Sequence, residues 1–105
     1  MTKESDWKLL RELTPVLLDR LCERILGECR QAMTEEGKTA HERYLALFKL
    51  VRNRDKDVAA CFDDHRRSTA IIKLVAIYRC GLLEPEELAR FSDGMQETVH
   101  ALGAL

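Results

Sequence analysis

The chain has few aromatic residues and few of the residues that make turns. Aromatics make up 6% of its 105 residues, and it contains two prolines and five glycines. Folds built from many short strands need frequent turn signals and are enriched in aromatic and β-branched residues. Charged residues are abundant at 33%, beside 46% apolar residues. The composition therefore argues against a β-sandwich or barrel and favours helices with charged outer faces.

Long apolar segments are also missing. The first ten residues, MTKESDWKLL, lack the apolar core of a signal peptide. Nowhere does an apolar run approach the roughly 18 residues that a membrane-spanning helix requires. We therefore expect a cytoplasmic protein with no membrane contact.

The cysteines show no metal-binding spacing. No two of them form a CxxC pair, and each lies in an apolar helical context; they are Cys22, Cys29, Cys61 and Cys80. Glu97 and His100 have the Glu-x-x-His spacing of di-iron bundles, but that site needs two copies of the motif and the chain has one. No glycine-rich phosphate loop is present. We predict reduced thiols, no metal ion and no cofactor.

The net charge is close to zero. Seventeen basic and eighteen acidic residues leave a formal charge of −1. Domains that bind nucleic acid through their overall field carry a clear basic excess. The balance therefore argues against nucleic acid as a partner, while it leaves room for a local basic patch.

Apolar residues recur at three- and four-residue steps along nearly the whole chain. This spacing predicts an all-α fold, a compact bundle of five or six helices in a single domain over residues 1–105. Thr14 and Pro15 predict that a short first helix ends and a second begins, because proline suits the first helical turn. Thr39 and Glu42 have the spacing of a capping box and would start the third helix. Asn53 is expected to end or kink it.

A short fourth helix is expected over residues 55–62, and an apolar central helix near residues 66–80. Asp63 or Asp64 would cap the central helix, and Gly81 would end it. Pro85 would open a last helix whose apolar seam continues without a break. Because a chain this short has few helices to surround the central one, a homodimer is an equal alternative. In that dimer the central or the last helix completes the core between two chains.

The stretch RNRDKDVAACFDDHRRS, residues 52–68, is the main candidate for a site. Its charges are explained either by helix caps and ion pairs or by a binding corner. The candidate binding residues are Arg52, Arg54, Asp57, Asp63, Asp64, His65, Arg66 and Arg67. Four arginines at one end of a bundle could grip a phosphate or a carboxylate, although the aspartates would neutralise much of their field.

Three functions follow from these patterns. The favoured one is a small, non-enzymatic interaction or regulatory module that binds another protein, or itself, through a helix face and this charged corner. The alternative is a binder of nucleic acid or a phosphate ligand through Arg52, Arg54, Arg66 and Arg67. The third is an enzyme that uses Cys61 and His65, which one helical turn could bring together.

Overall fold

A computed structural model describes residues 2–105, which form five α-helices, one 3₁₀ turn and no strand. The helices are α1 Glu4–Thr34, α2 Ala40–Phe62, α3 Ala70–Arg79, α4 Pro85–Leu88 and α5 Asp93–Gly103, with the 3₁₀ turn at Arg67–Thr69. The predicted all-α fold of five or six packed helices is confirmed. Their boundaries differ from the predicted ones at three places.

α1 is one uninterrupted helix of 31 residues, and the predicted break at Thr14 and Pro15 is wrong. Pro15 lies on an exposed side of the helix. Proline in a helix interior costs about 3 kcal/mol. Leu13 and Leu17 are buried on either side of it, and each contributes about 1.5 to 3 kcal/mol by leaving water. Burial of the leucine face along α1 therefore outweighs the cost of the proline.

α2 begins at the predicted capping box. Thr39 Oγ1 accepts a hydrogen bond from the Glu42 backbone N–H at 3.1 Å, and the Glu42 carboxylate accepts one from the Thr39 N–H at 3.0 Å. The predicted end at Asn53 is wrong, since the helix continues to Phe62 and absorbs the short fourth helix. Asn53 is exposed, where asparagine costs only about 0.7 kcal/mol relative to alanine. That cost is too small to end a helix that packs on α1.

α3 lies within the predicted range 66–80 and contacts α1, α2 and α5. Its buried residues are Ala70, Leu74, Val75 and Ile77. It is not enclosed on every side, because Ile72 is 69% exposed. The expected aspartate cap is wrong: Asp63 is the C-cap of α2, and the Asp64 carboxylate accepts a hydrogen bond from Arg66 instead. Gly81, with a φ of 70°, follows the end of the helix as predicted.

The last helix is broken where the apolar seam predicted continuity. α4 ends at Leu88, and α5 begins after Ser92. Asp6 of α1, which is 4% exposed, accepts hydrogen bonds from the Ser92 N–H at 2.9 Å and the Ser92 hydroxyl at 2.6 Å. The same hydroxyl oxygen accepts from the Met95 N–H at 3.3 Å and so caps α5. A residue 86 positions away therefore stabilises this break.

The core occupies one end of the molecule. Its cluster of apolar side chains extends to Ile25 on α1 and to Val58 on α2, and among the described residues it includes none from 26–53. We call residues 26–53 the arm: an antiparallel helical hairpin that projects from the core. The radius of gyration is 16.4 Å, against about 13 Å for a globular chain of this length. The long axis of 52 Å follows from α1, which is about 46 Å long and extends beyond the core into the arm.

Candidate interaction surface

The arm exposes two stripes of large apolar side chains. On α1, Leu26 and Met33 are seven residues apart and share a face; on α2, Tyr44, Phe48 and Val51 follow at steps of four and three. Each of these five side chains is between 49% and 63% exposed. Single exposed apolar residues are ordinary, but a contiguous patch of several hundred Å² is typical of an interaction surface. We call these five residues the arm face.

Both stripes lie on the side of the hairpin that points away from α3. Arg24 and Asp57 line a cleft together with Cys80, at the end of α3. Leu26 follows Arg24 by two residues, which is about 200° around α1. Phe48 precedes Asp57 by nine residues, which is two and a half turns of α2. The arm face is therefore on the open side of the hairpin, opposite the body formed by α3, α4 and α5.

The arginines of the charged stretch bind carboxylates at distant points of α1. Arg54 Nε is 2.9 Å from a Glu28 oxygen, and Arg67 Nη1 is 2.7 Å from a Glu4 oxygen. Arg67 also donates to the Thr2 carbonyl at 2.9 Å. Glu4 and Glu28 are 24 residues apart in one helix, which is about 36 Å along its axis. Arg54 and Arg67 therefore do not meet at one end of the molecule.

The rest of the stretch forms local pairs. Arg66 Nε is 2.7 Å from Asp64, and this hydrogen bond holds the pKa of Asp64 below its ordinary value. Asp57 accepts from Arg54 at 3.3 Å. Arg52 and Asp63 are exposed. A phosphate would have to displace a carboxylate from Arg54, Arg66 or Arg67 before it could bind bidentately.

The surroundings of Cys61 and His65 disfavour the thiolate and the imidazolium that cysteine catalysis needs. Burial raises the pKa of the Cys61 thiol to about 12, and its Sγ lies 3.6 Å from that of Cys80. Burial lowers the pKa of His65, whose ring is 6.2 Å from Trp7 and 6.3 Å from Phe62. At pH 7 the pair is a thiol and a neutral imidazole. The thiolate that acts as a nucleophile is not formed there.

We expect Cys61 to resist alkylation by iodoacetamide in the folded protein at pH 8. A pKa raised from 9.0 to about 12 lowers the thiolate fraction by a factor on the order of 1,000. Peptide mass spectrometry would measure the modified fraction of each cysteine, with the denatured chain as the control in which all four react. Rapid, selective modification of Cys61 in the folded protein would contradict its assignment as an inert buried thiol and would support the hypothesis that it is a nucleophile.

Sequence reasoning passed over the arm face, although a signal for it exists. Seven of the eight residues from Tyr44 to Val51 are apolar. A helix with that composition is apolar on more sides than a single neighbouring helix can cover. Only α1 packs against this part of α2, so the surplus remains in solvent.

No helix within residues 2–105 is both long and apolar enough to cross a membrane. Over the same residues, no three histidine, cysteine, aspartate or glutamate side chains converge in a way that could hold a metal ion. No protein-family model, curated protein or solved structure matches the chain.

Proposed function

We propose that the protein is a non-enzymatic interaction module and that the arm face is its binding surface. The observation that carries the proposal is a projecting helical hairpin with five half-exposed, large apolar side chains on one side. The proposal keeps binding through an apolar helix face, as expected from the sequence, and locates that face on the arm. It leaves out the charged corner, because Arg54, Arg66 and Arg67 already pair with carboxylates of the same chain.

The size of this face supports binding. The five side chains together expose about 500 Å², so a partner of similar shape would remove about 1,000 Å² of surface from water. Buried area does not convert directly into affinity, because association costs about 4 to 15 kcal/mol in lost translational and rotational freedom and the ordering of side chains costs more. An area near about 1,000 Å² is the size at which specific interfaces begin.

The cytoplasm is the compartment that we propose. All four cysteines are free, and Cys61 and Cys80 remain thiols with their sulfur atoms 3.6 Å apart. Such a pair is compatible with a reducing compartment, where glutathione and thioredoxin keep thiols reduced.

Site-specific photocross-linking in living cells tests the proposed surface. Phe48→p-benzoylphenylalanine places the probe at the centre of the arm face. We expect irradiation to give a discrete cross-linked species, because a bound partner would cover this position. Denaturing electrophoresis and mass spectrometry would measure its size and identify the protein attached.

Ile72→p-benzoylphenylalanine is the matched control, since Ile72 is 69% exposed but lies on α3, outside the arm. It should give no discrete adduct. Equal cross-linking at both positions, or none at position 48, would contradict the arm face as the binding surface.

A further inference from the structure

We infer that the arm face binds a second copy of this chain, antiparallel to the first, across a two-fold axis that passes beside Leu26 and Asn53. The inference rests on the proposed function, because it uses the same face and adds the identity of the partner. An isologous dimer requires a self-complementary surface, in which residue i meets residue j and j meets i. Three observations point to such a surface.

The first observation is the spacing of the α2 stripe, which is symmetric about Asn53. The stripe comprises Tyr44, Phe48, Val51, Asp55, Val58 and Phe62. The outermost pair lies nine residues on either side of Asn53 and the middle pair five. The inner pair, two residues away, brings Asp55 beside Val51 and the adjacent Arg52 of the second copy. A two-fold axis beside Asn53 therefore sets Phe48 against Val58 of the second copy and Tyr44 against Phe62 of the second copy. Val58 and Phe62 pack partly on the core of their own chain, and each keeps some exposed surface that a second copy can cover.

The second observation is the charge within and beside the face. On α2, Asp55 of the stripe and the neighbouring Arg52 are both exposed and have their midpoint between residues 53 and 54. On α1, Glu23 and Arg30 are both exposed and have their midpoint between residues 26 and 27. An antiparallel copy brings each of these residues opposite a residue of the opposite charge. Residues 26–27 of α1 and 53–54 of α2 lie at nearly the same position along the length of the hairpin, because the neighbouring Glu28 pairs with Arg54. The two helices thus specify one common axis.

The third observation is the open side of the hairpin. The body made of α3, α4 and α5 lies on the opposite side, next to Arg24 and Asp57. Two hairpins can therefore stack face to face as an antiparallel four-helix bundle without contact between the two bodies. The surface removed, about 1,000 Å², reaches the lower bound for a stable biological interface. A net charge of −1 per chain adds little repulsion between the copies.

Light scattering on the purified full chain tests the second copy. We expect a mass twice the 12.1 kDa of one chain. Phe48→Glu would place a carboxylate against Val58 of the other copy and should weaken association at least about 100-fold. Ile72→Glu, an equal change on the exposed side of α3, should leave the dimer intact. A dimer that Phe48→Glu leaves unchanged would overturn the inference.

A charge exchange tests the antiparallel geometry. Arg52→Asp sets two carboxylates against each other at both of the symmetric contacts between the α2 helices of its own homodimer, and Asp55→Arg does the same with two guanidinium groups. Each variant alone should dissociate about tenfold more readily. Mixed one to one, the two variants should form a heterodimer, because the carboxylates of one chain meet the guanidinium groups of the other. Failure of the mixture to associate would overturn the antiparallel arrangement.

Failure of the inference is distinguishable from failure of the proposed function. A wild-type chain that stays monomeric up to about 100 μM overturns the second copy as the partner. If the position-48 probe nevertheless cross-links to a different protein, the arm face stands as an interaction surface. If no adduct forms either, the proposed function fails as well.

Discussion

Asp6→Ala is expected to lower the free energy of unfolding by about 3 kcal/mol, because hydrogen bonds to a buried charged group are each worth about 1.5 to 3 kcal/mol. The Asp6 carboxylate is 4% exposed and accepts from both the backbone N–H and the hydroxyl of Ser92. Alanine would leave both donors without a partner inside the structure. The start of α5 would lose its tie to α1. Urea denaturation at a fixed protein concentration would measure the change.

Two control variants show whether the loss of stability comes from the hydrogen bonds of Asp6 or from the changed net charge of α1. Asp6→Asn keeps an oxygen that accepts from the Ser92 N–H, so it should cost about 1 kcal/mol, clearly less than alanine. Lys8→Ala changes an exposed charge on the same helix and should stay within about 0.5 kcal/mol of the wild type. If Asp6→Ala also stays within that range, the carboxylate does not stabilise the break between α4 and α5.

Pro15→Ala is expected to raise the free energy of unfolding by about 2 kcal/mol. Proline costs about 3 kcal/mol relative to alanine in a helix interior, and the more flexible unfolded chain of the variant returns about 0.4 to 1 kcal/mol. The gain depends on α1 being continuous through position 15. In the arrangement expected from the sequence, Pro15 would be the first residue of a second helix, where proline is favoured. Alanine there would be neutral or destabilising, so the sign of the change distinguishes the two structures.

Pro85→Ala is the matched control. Pro85 occupies the first position of α4, where its fixed φ suits the helix and its missing N–H needs no partner. Alanine at that position should therefore lower stability by about 0.5 to 1 kcal/mol. Denaturation curves of both variants at one protein concentration would show opposite shifts. A loss of stability in Pro15→Ala would contradict the continuous helix.

Sequence reasoning predicted the helical class and several local signals correctly. The capping box of Thr39 and Glu42 depends on residues three apart, and the positive φ of Gly81 depends on its lack of a side chain. Such signals act within one helical turn and need no knowledge of the fold. The expected breaks at Thr14 and Asn53 failed for the opposite reason. Propensity penalties of about 0.7 to 3 kcal/mol are smaller than the gain from packing a continuous apolar stripe.

For the candidate site, sequence reasoning found the residues but could not tell which of them meet. Residues 52–68 carry the charges expected of a binding corner. The sequence alone does not show that Arg54 pairs with Glu28 while Arg67 pairs with Glu4. Those distances depend on α1 being one long helix. The apolar surplus of residues 44–51 was visible in the sequence, but its exposure depends on where the body packs. The homodimer stays a prediction, and its expected interface moves from α3 or the last helix to the arm.

What the sequence by itself determined is the class of the fold, because apolar periodicity and local caps are properties of short segments. Only the tertiary structure decided where helices are continuous, where the last one breaks, and which apolar stripe is left uncovered. Each of these outcomes depends on contacts between residues far apart in the chain, such as Asp6 with Ser92. The body formed by α3, α4 and α5 covers one side of the α1–α2 hairpin near its base and leaves the arm face in solvent. The physical reason is that α3, α4 and α5 pack on one side of the long hairpin near its base, so the large apolar side chains on the other side of the arm stay in solvent.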